Sequence, residues 1–233
     1  MTTSEEFSRL AAQVAELADE VGSLRDVNAI RKLQHAYGYY LDKCLYDEVV
    51  DLFAESGEVR FMGGVFKARA GLRRLYCDRF RQNFTGGYNG PVYGFLLDHL
   101  ILQDIVDVAP NRQSALARFR CFMQAGRHES KPAASPGLPS QWWEGGLYEN
   151  EFVCEDGVWK IKVLNYRAIY HGVFEKGWAH TPAGFVPFFS ETYPKDPTGP
   201  DELMKPTPVL WPETDVLAFH YDHPVTGKRW KKA

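Results

Sequence analysis

No apolar run in the 233 residues approaches the ~18 needed to span a membrane, and the acidic N-terminus has no apolar signal core. Neither a membrane protein nor an exported one is expected, and the cytoplasm is the expected compartment. Positive charge is not in excess either: 27 Lys and Arg stand against 30 Asp and Glu. That balance leaves no footprint for nucleic acid, and Lys228, Arg229, Lys231 and Lys232 read as a solvated tail. Cys44, Cys77, Cys121 and Cys154 form no C-x-x-C pair and have no His at zinc-site spacing, so reduced, mostly buried thiols are expected. His220 and His223 in HYDH would need a third ligand from elsewhere, and no metal is expected. G-x-S-x-G, G-x-G-x-x-G and P-loop motifs are absent, which argues against a serine hydrolase and against a nucleotide cofactor. No internal repeat is evident.

What is present suits one sizeable core: 45% hydrophobic and 14% aromatic residues. The organising stretch is IRKLQHAYGYYLDKCLYDEVVDLF, residues 30–53. Ile30, Leu33, Tyr37, Leu41 and Cys44 recur at helical spacing and define one buried face. Gly38 and Asp42 form the adjoining row, so a phenol and a carboxylate sit beside a residue small enough to admit a close neighbour. The stretch reads as one wall of a pocket, followed by a short helix over 46–53. Upstream, Phe7, Leu10, Val14, Leu17, Val21 and Leu24 alternate steps of three and four, predicting a helix that docks on its own domain or on a sister subunit.

Downstream, residues 58–62 and 65–67 flank Gly63-Gly64, a hairpin signal, and residues 70–84 read as a helix whose arginines form a solvated face. Strands are predicted over 95–106 and 114–124, and again over 142–154 and 158–170 about the Asp156-Gly157 turn. Residues 126–140 read as a mobile surface loop. The last 63 residues hold nine of the fourteen prolines and many aromatics. Such a segment forms little helix or sheet, yet is too aromatic to stay disordered, so an ordered wrapping arm is expected. The fold class is α+β: a curved antiparallel sheet covered by N-terminal helices. The expected divisions are 1–27, a docking helix; 28–170, the main domain; and 171–233, the arm.

AYGYYLDKCLYDEVVDLF, the EVRFMGG hairpin, the LLDHLIL strand and YENEFVCEDGVWKIKVLNY together resemble the SnoaL-like branch of the nuclear transport factor two-like superfamily, over about residues 28–170. The resemblance implies a cone-shaped α+β barrel with a pocket inside it. Compared with scytalone dehydratases, the helix Asp corresponds to Asp42, the aromatic residue preceding it to Tyr37, and the first strand histidine to His99. The second strand histidine has no counterpart in Phe122-Met123-Gln124-Ala125, and the pocket Asn falls at Tyr148, with Asn150 next on that face. Length and the proline-rich arm are more similar to the γ-formaldehyde lyases of lignin-derived diaryl compounds.

His99, Asp42, Tyr37 and Tyr148 are therefore the candidate catalytic residues. Asn150, Tyr40, Leu41, Phe61, Met123 and Phe152 are the candidate substrate-lining ones. A His shifted by burial and steered by a carboxylate suits acid/base work near neutral pH. The expected function is a lyase of a small aromatic alcohol that needs no cofactor and releases formaldehyde, water or both. The expected assembly is a homo-oligomer, dimer or trimer. Alternatives are a dehydratase, isomerase or polyketide cyclase on another phenol, or a non-catalytic binding or dimerisation module.

Overall fold

Helix α1 spans Thr3–Asp42 without a break. The expected 27/28 division therefore falls inside one helix, and the heptad stripe and the pocket wall are two ends of the same rod. Ile30, Gln34, Tyr37, Gly38 and Leu41 are its buried face. The computed structural model describes residues 3–131, 139–180 and 189–231. Most of the central part of the expected 126–140 loop, and Phe185 and Phe188 of the arm, lie outside those residues. Among the described residues no helix is long and apolar enough to cross a membrane.

A short helix α2 (Tyr46–Asp51) leads into strand β1 (Phe53–Phe61) and its hairpin partner β2 (Gly64–Lys67). The turn is Met62-Gly63, one residue earlier than expected. Both residues have positive φ, 46° and 81°, as a two-residue turn of the primed type requires. Helix α3 (Ala68–Arg73) runs through a π-helical stretch (Arg74–Phe80) into α4 (Arg81–Thr85). Four long strands follow: β3 (Phe95–Val108), β4 (Ser114–Arg127), β5 (Gln141–Glu155) and β6 (Val158–Val173). Asp156 and Gly157 turn the last pair at φ 52° and 77°.

The sheet order is β3-β4-β5-β6-β1-β2-β7, where β7 (Glu202–Leu203) comes from the arm. This is the α+β architecture expected, with a curved, unclosed sheet. The sheet is mixed rather than purely antiparallel, because β1 runs parallel to β6. Helix α1 lies across the concave face, against β3 and β6.

The arm wraps its own sheet. Arg74 bonds the Gly199 carbonyl and Asp201, and stacks on Tyr193; Arg79 reaches Asp196 and Thr198. Two of the arginines expected to be solvated thus clamp the arm to the π-helical stretch. Farther on, the Trp211 amide bonds the Ile169 carbonyl of β6. Arg118, on the outward face of β4, donates to the Leu217 and Ala218 carbonyls and lies over Phe219. His220 sits between Glu149 and Asp107. Glu149, on the outward side of β5, is therefore covered by the chain's own C-terminal segment, while Glu151 on the same side is exposed.

Candidate active site

Strand register places the chemistry. Residues directly opposite in an antiparallel pair share a face. His99 of β3 pairs with Met123 of β4, Met123 with Glu144 of β5, and Glu144 with His171 of β6. These four form one row across the concave face. The neighbouring row is Leu97, Ala125, Trp142 and Val173; on the other side come Ile101, Cys121, Gly146 and Ala168.

Asp42, the last residue of α1, reaches the first position of the row. Its Oδ1 accepts the His99 backbone N–H at 2.9 Å and lies 2.7 Å from His99 Nδ1. A carboxylate there favours the tautomer with the proton on Nδ1, which leaves Nε2 as the lone-pair acceptor. The approach depends on Gly38: a Cβ there would stand 3.1 Å from Ile101 Cγ1. Both side chains of the dyad are nearly buried.

Glu144 occupies the third position. Its carboxyl is fully enclosed and accepts a 2.6 Å hydrogen bond from the Tyr166 hydroxyl. Burial pushes its pKa up to about 7, only partly offset by that bond. A carboxyl so placed changes protonation state near neutrality, as a general acid or base must. Beside it, burial takes His171 down to about 4, so it is a neutral imidazole at pH 7, stacked on Trp142 at 6.0 Å.

Below the row is a ladder of phenols. The Tyr37 hydroxyl meets that of Tyr76 at 3.0 Å, the Tyr37 ring stands edge-on to Tyr148 at 6.0 Å, and Tyr148 lies 4.9 Å from Tyr166. Burial raises all four well above the usual phenol range, so they remain protonated donors. The Asp42 charge also reaches Tyr37 and Cys121, raising both after the dominant effect of burial. Tyr76 is delivered by the π-helical stretch, a rare conformation that often marks functional sites.

Gly146 makes the Tyr166–Glu144 bond sterically possible. A Cβ at 146 would fall 2.6 Å from both the ring and the hydroxyl of Tyr166. Gly146→Ala is expected to displace that ring, lower stability by about 1–3 kcal/mol as overpacking does, and reduce turnover. Thermal unfolding together with initial rates would check it.

Of the other residues singled out in the sequence, Met123 sits between His99 and Glu144, and Phe61 stacks on Tyr166 at 6.1 Å. Tyr40 is half-buried against the core, and Leu41 is core. Asn150 and Phe152 are not brought to the row. Asn150 donates to Gln34 and accepts from the Asn165 amide, tying α1 to the sheet, and Phe152 pairs with Ile161 toward the far end of the strand. Phe152 is eight residue steps along the strand from Glu144, roughly 27 Å.

A cleft of about 370 Å³ at this end of the sheet has Phe95, Ala125 and Trp142 in its walls together with the outward-facing Leu96, Gln124 and Trp143, and none of the four row residues lines it. Ala125 and Trp142 are the inner residues one row out from Met123 and Glu144. The deeper space around Tyr37, Tyr148 and Phe152, expected to be open pocket, is filled by those side chains.

Residues 22–165 match the SnoaL-like domain. The chain belongs to the SnoaL-like family. No curated protein matches the sequence. Among solved structures it is similar to a candidate scytalone dehydratase from Novosphingobium aromaticivorans DSM 12444, at 20% identity and TM-score 0.51, covering 65% of this chain and 89% of that one. It is also similar to LinA, at 15% identity and TM-score 0.53, covering 74% and 99%. A third is the hexachlorocyclohexane dehydrochlorinase LinA-type3 from Novosphingobium barchaimii LL02, at 17% identity and TM-score 0.50, covering 75% and 99%. At such identities the likeness is one of fold. The SnoaL-like match includes Asp42, His99 and Glu144, whereas Tyr166 and His171 lie just beyond it.

Glu144 was not singled out in the sequence, and His171 read as the first residue of the arm, whereas it lies inside β6. Glu144 has the same strand parity as Tyr148 and could have been reached by counting back four residues. His171 could not, because a bulge between Gly145 and Gly146 slips the β6 register and carries it onto the inner face.

Proposed function

We propose that this SnoaL-like protein is an acid/base lyase for a small aromatic alcohol, releasing water, formaldehyde or both from a para-hydroxyphenyl diol. The observation that carries the reading is the inner row, in which a carboxylate-held imidazole and an enclosed carboxyl that titrates near neutrality flank one methionine. An elimination needs one group to remove a proton and one to supply one, and the row puts an imidazole and a carboxyl on one inner face. The names of the structural neighbours, a dehydratase and a dehydrochlorinase, are also names of eliminations. Elimination is redox-neutral, so the scheme calls on no redox cofactor.

In the scheme, His99 Nε2 takes the phenolic proton of the substrate while Glu144, protonated, donates to the benzylic hydroxyl. The benzylic C–O bond breaks, water leaves, and a quinone methide forms. The Glu144 carboxylate then takes the proton of the terminal hydroxyl. The bond to the terminal carbon breaks, its electron pair forms the new C=C bond as the ring regains aromaticity, and formaldehyde departs. The proton on His99 returns to the phenolate, leaving a stilbene and restoring both side chains. Asp42 stabilises the transient imidazolium. If the Glu144 carboxylate instead takes the proton from the carbon next to the benzylic one, that C–H pair forms the C=C bond, the His99 proton returns to the phenolate, and the reaction is a dehydration.

The test is incubation with a panel of para-hydroxyphenyl diaryl diols, following stilbene absorbance and formaldehyde in the same sample. Both products in equal amount support the full scheme, and an alkene without formaldehyde assigns a dehydratase. No turnover across the panel overturns the proposed substrate class.

A further inference from the structure

The N-terminal half of α1 stands clear of its own domain. Every described residue from Thr3 to Val21 is exposed, and the apolar side chains of Phe7, Leu10, Val14, Leu17, Val21 and Leu24 are 45–75% exposed. The domain grips the helix only from Gly22 onward: Arg112 packs on Gly22 and binds Asp26, and Trp159 donates to Asp26. A free helical overhang of this length is marginal in water without tertiary packing.

At about 100° per residue, the docked positions Gly22, Asp26, Ile30 and Tyr37 lie on one side of the rod and the apolar stripe lies on the opposite side. Two such helices can therefore meet stripe to stripe with their domains pointing outward. The sequence of the stripe also specifies a partner. In heptad terms Phe7, Val14, Val21 and Asn28 occupy a, and Leu10, Leu17 and Leu24 occupy d. β-Branched residues at a with leucine at d favour two parallel strands, and a single Asn at a fixes the register. In that register Glu20 at g faces Arg25 at e of the other copy, an opposite-charge pair.

We infer that α1 is the dimerisation element: residues 7–28 form a parallel two-stranded coiled coil with a second copy of this chain.

The experiment is sedimentation equilibrium on the full chain and on Leu17→Glu, a substitution on a side chain that is 59% exposed in its own domain. The wild type is expected at twice the 26.6 kDa chain mass, and the variant at half the wild-type mass with an unchanged near-UV spectrum. Orientation is read from Val14→Cys, which should form an interchain disulfide on mild oxidation where the wild type forms none, because a parallel register stacks the two thiols in one layer. A monomeric or threefold wild type, a variant of unchanged mass, or a Val14→Cys chain that fails to cross-link overturns the inference.

Discussion

Glu144→Gln is expected to abolish most turnover while making the protein more stable at pH 8. In the fold the Glu144 carboxyl titrates at about 7, against an ordinary value of 4.5. A raised folded pKa means the native state holds its proton more tightly than the unfolded chain does. The associated stability is complete below about pH 4.5 and is lost as pH rises through 7, amounting to ~3 kcal/mol across that shift. A neutral amide of the same shape can still accept the Tyr166 hydroxyl but bears no charge to desolvate. Thermal unfolding of both proteins at pH 5 and pH 8 should therefore give curves that nearly coincide at the lower pH and separate at the higher one, with the variant melting later. A gap between the two melting curves that is the same at both pH values would show that the carboxyl is not held protonated, since every other titrating group is common to the two proteins.

The second large effect is expected at the dyad. Asp42→Asn removes the charge that holds the Nδ1 proton and steadies the imidazolium, and kcat should fall by about 10²–10⁴ with little change in KM. His99→Ala should fall at least as far, and the double variant no further than His99→Ala alone, because two residues acting as one unit are not additive. Turnover in the double variant well below that of either single variant would mean that Asp42 and His99 work separately.

His171 sets an opposing limit. Burial lowers its pKa from 6.5 to about 4. Below pH 6.5 the unfolded chain takes up a proton that the native imidazole resists, so stability is lost as pH falls from 6.5 toward 4. His171→Phe, which keeps an aromatic ring against Trp142, should flatten that acid limb of the stability curve.

Much of this was legible in the sequence, and the rest was not for identifiable reasons. Helical periodicity located the wall carrying Tyr37 and Asp42, and Asp-Gly located the β5–β6 turn, because both signals are local. The meeting of Asp42 with His99 needed only the family likeness and the parity of β3. Glu144 required trusting that parity as far as the mouth of β5, and His171 required a bulge that no dipeptide announces. The arginines of the π-helical stretch looked solvated because their partners, Asp196, Gly199 and Asp201, lie more than a hundred residues downstream. The continuity of α1 was hidden by a change of face: the stripe that ends at Leu24 and the wall that begins at Ile30 lie on opposite sides of one helix.

The measurement closest to the central claim is the pH dependence of kcat for the wild type and Glu144→Gln on one diaryl diol that is turned over. If the enclosed carboxyl is the second acid/base group of the row, the wild-type profile has a limb near pH 7, and the variant has residual turnover without it. Superimposable profiles at equal rates would contradict the assignment and leave the inner row as packing alone.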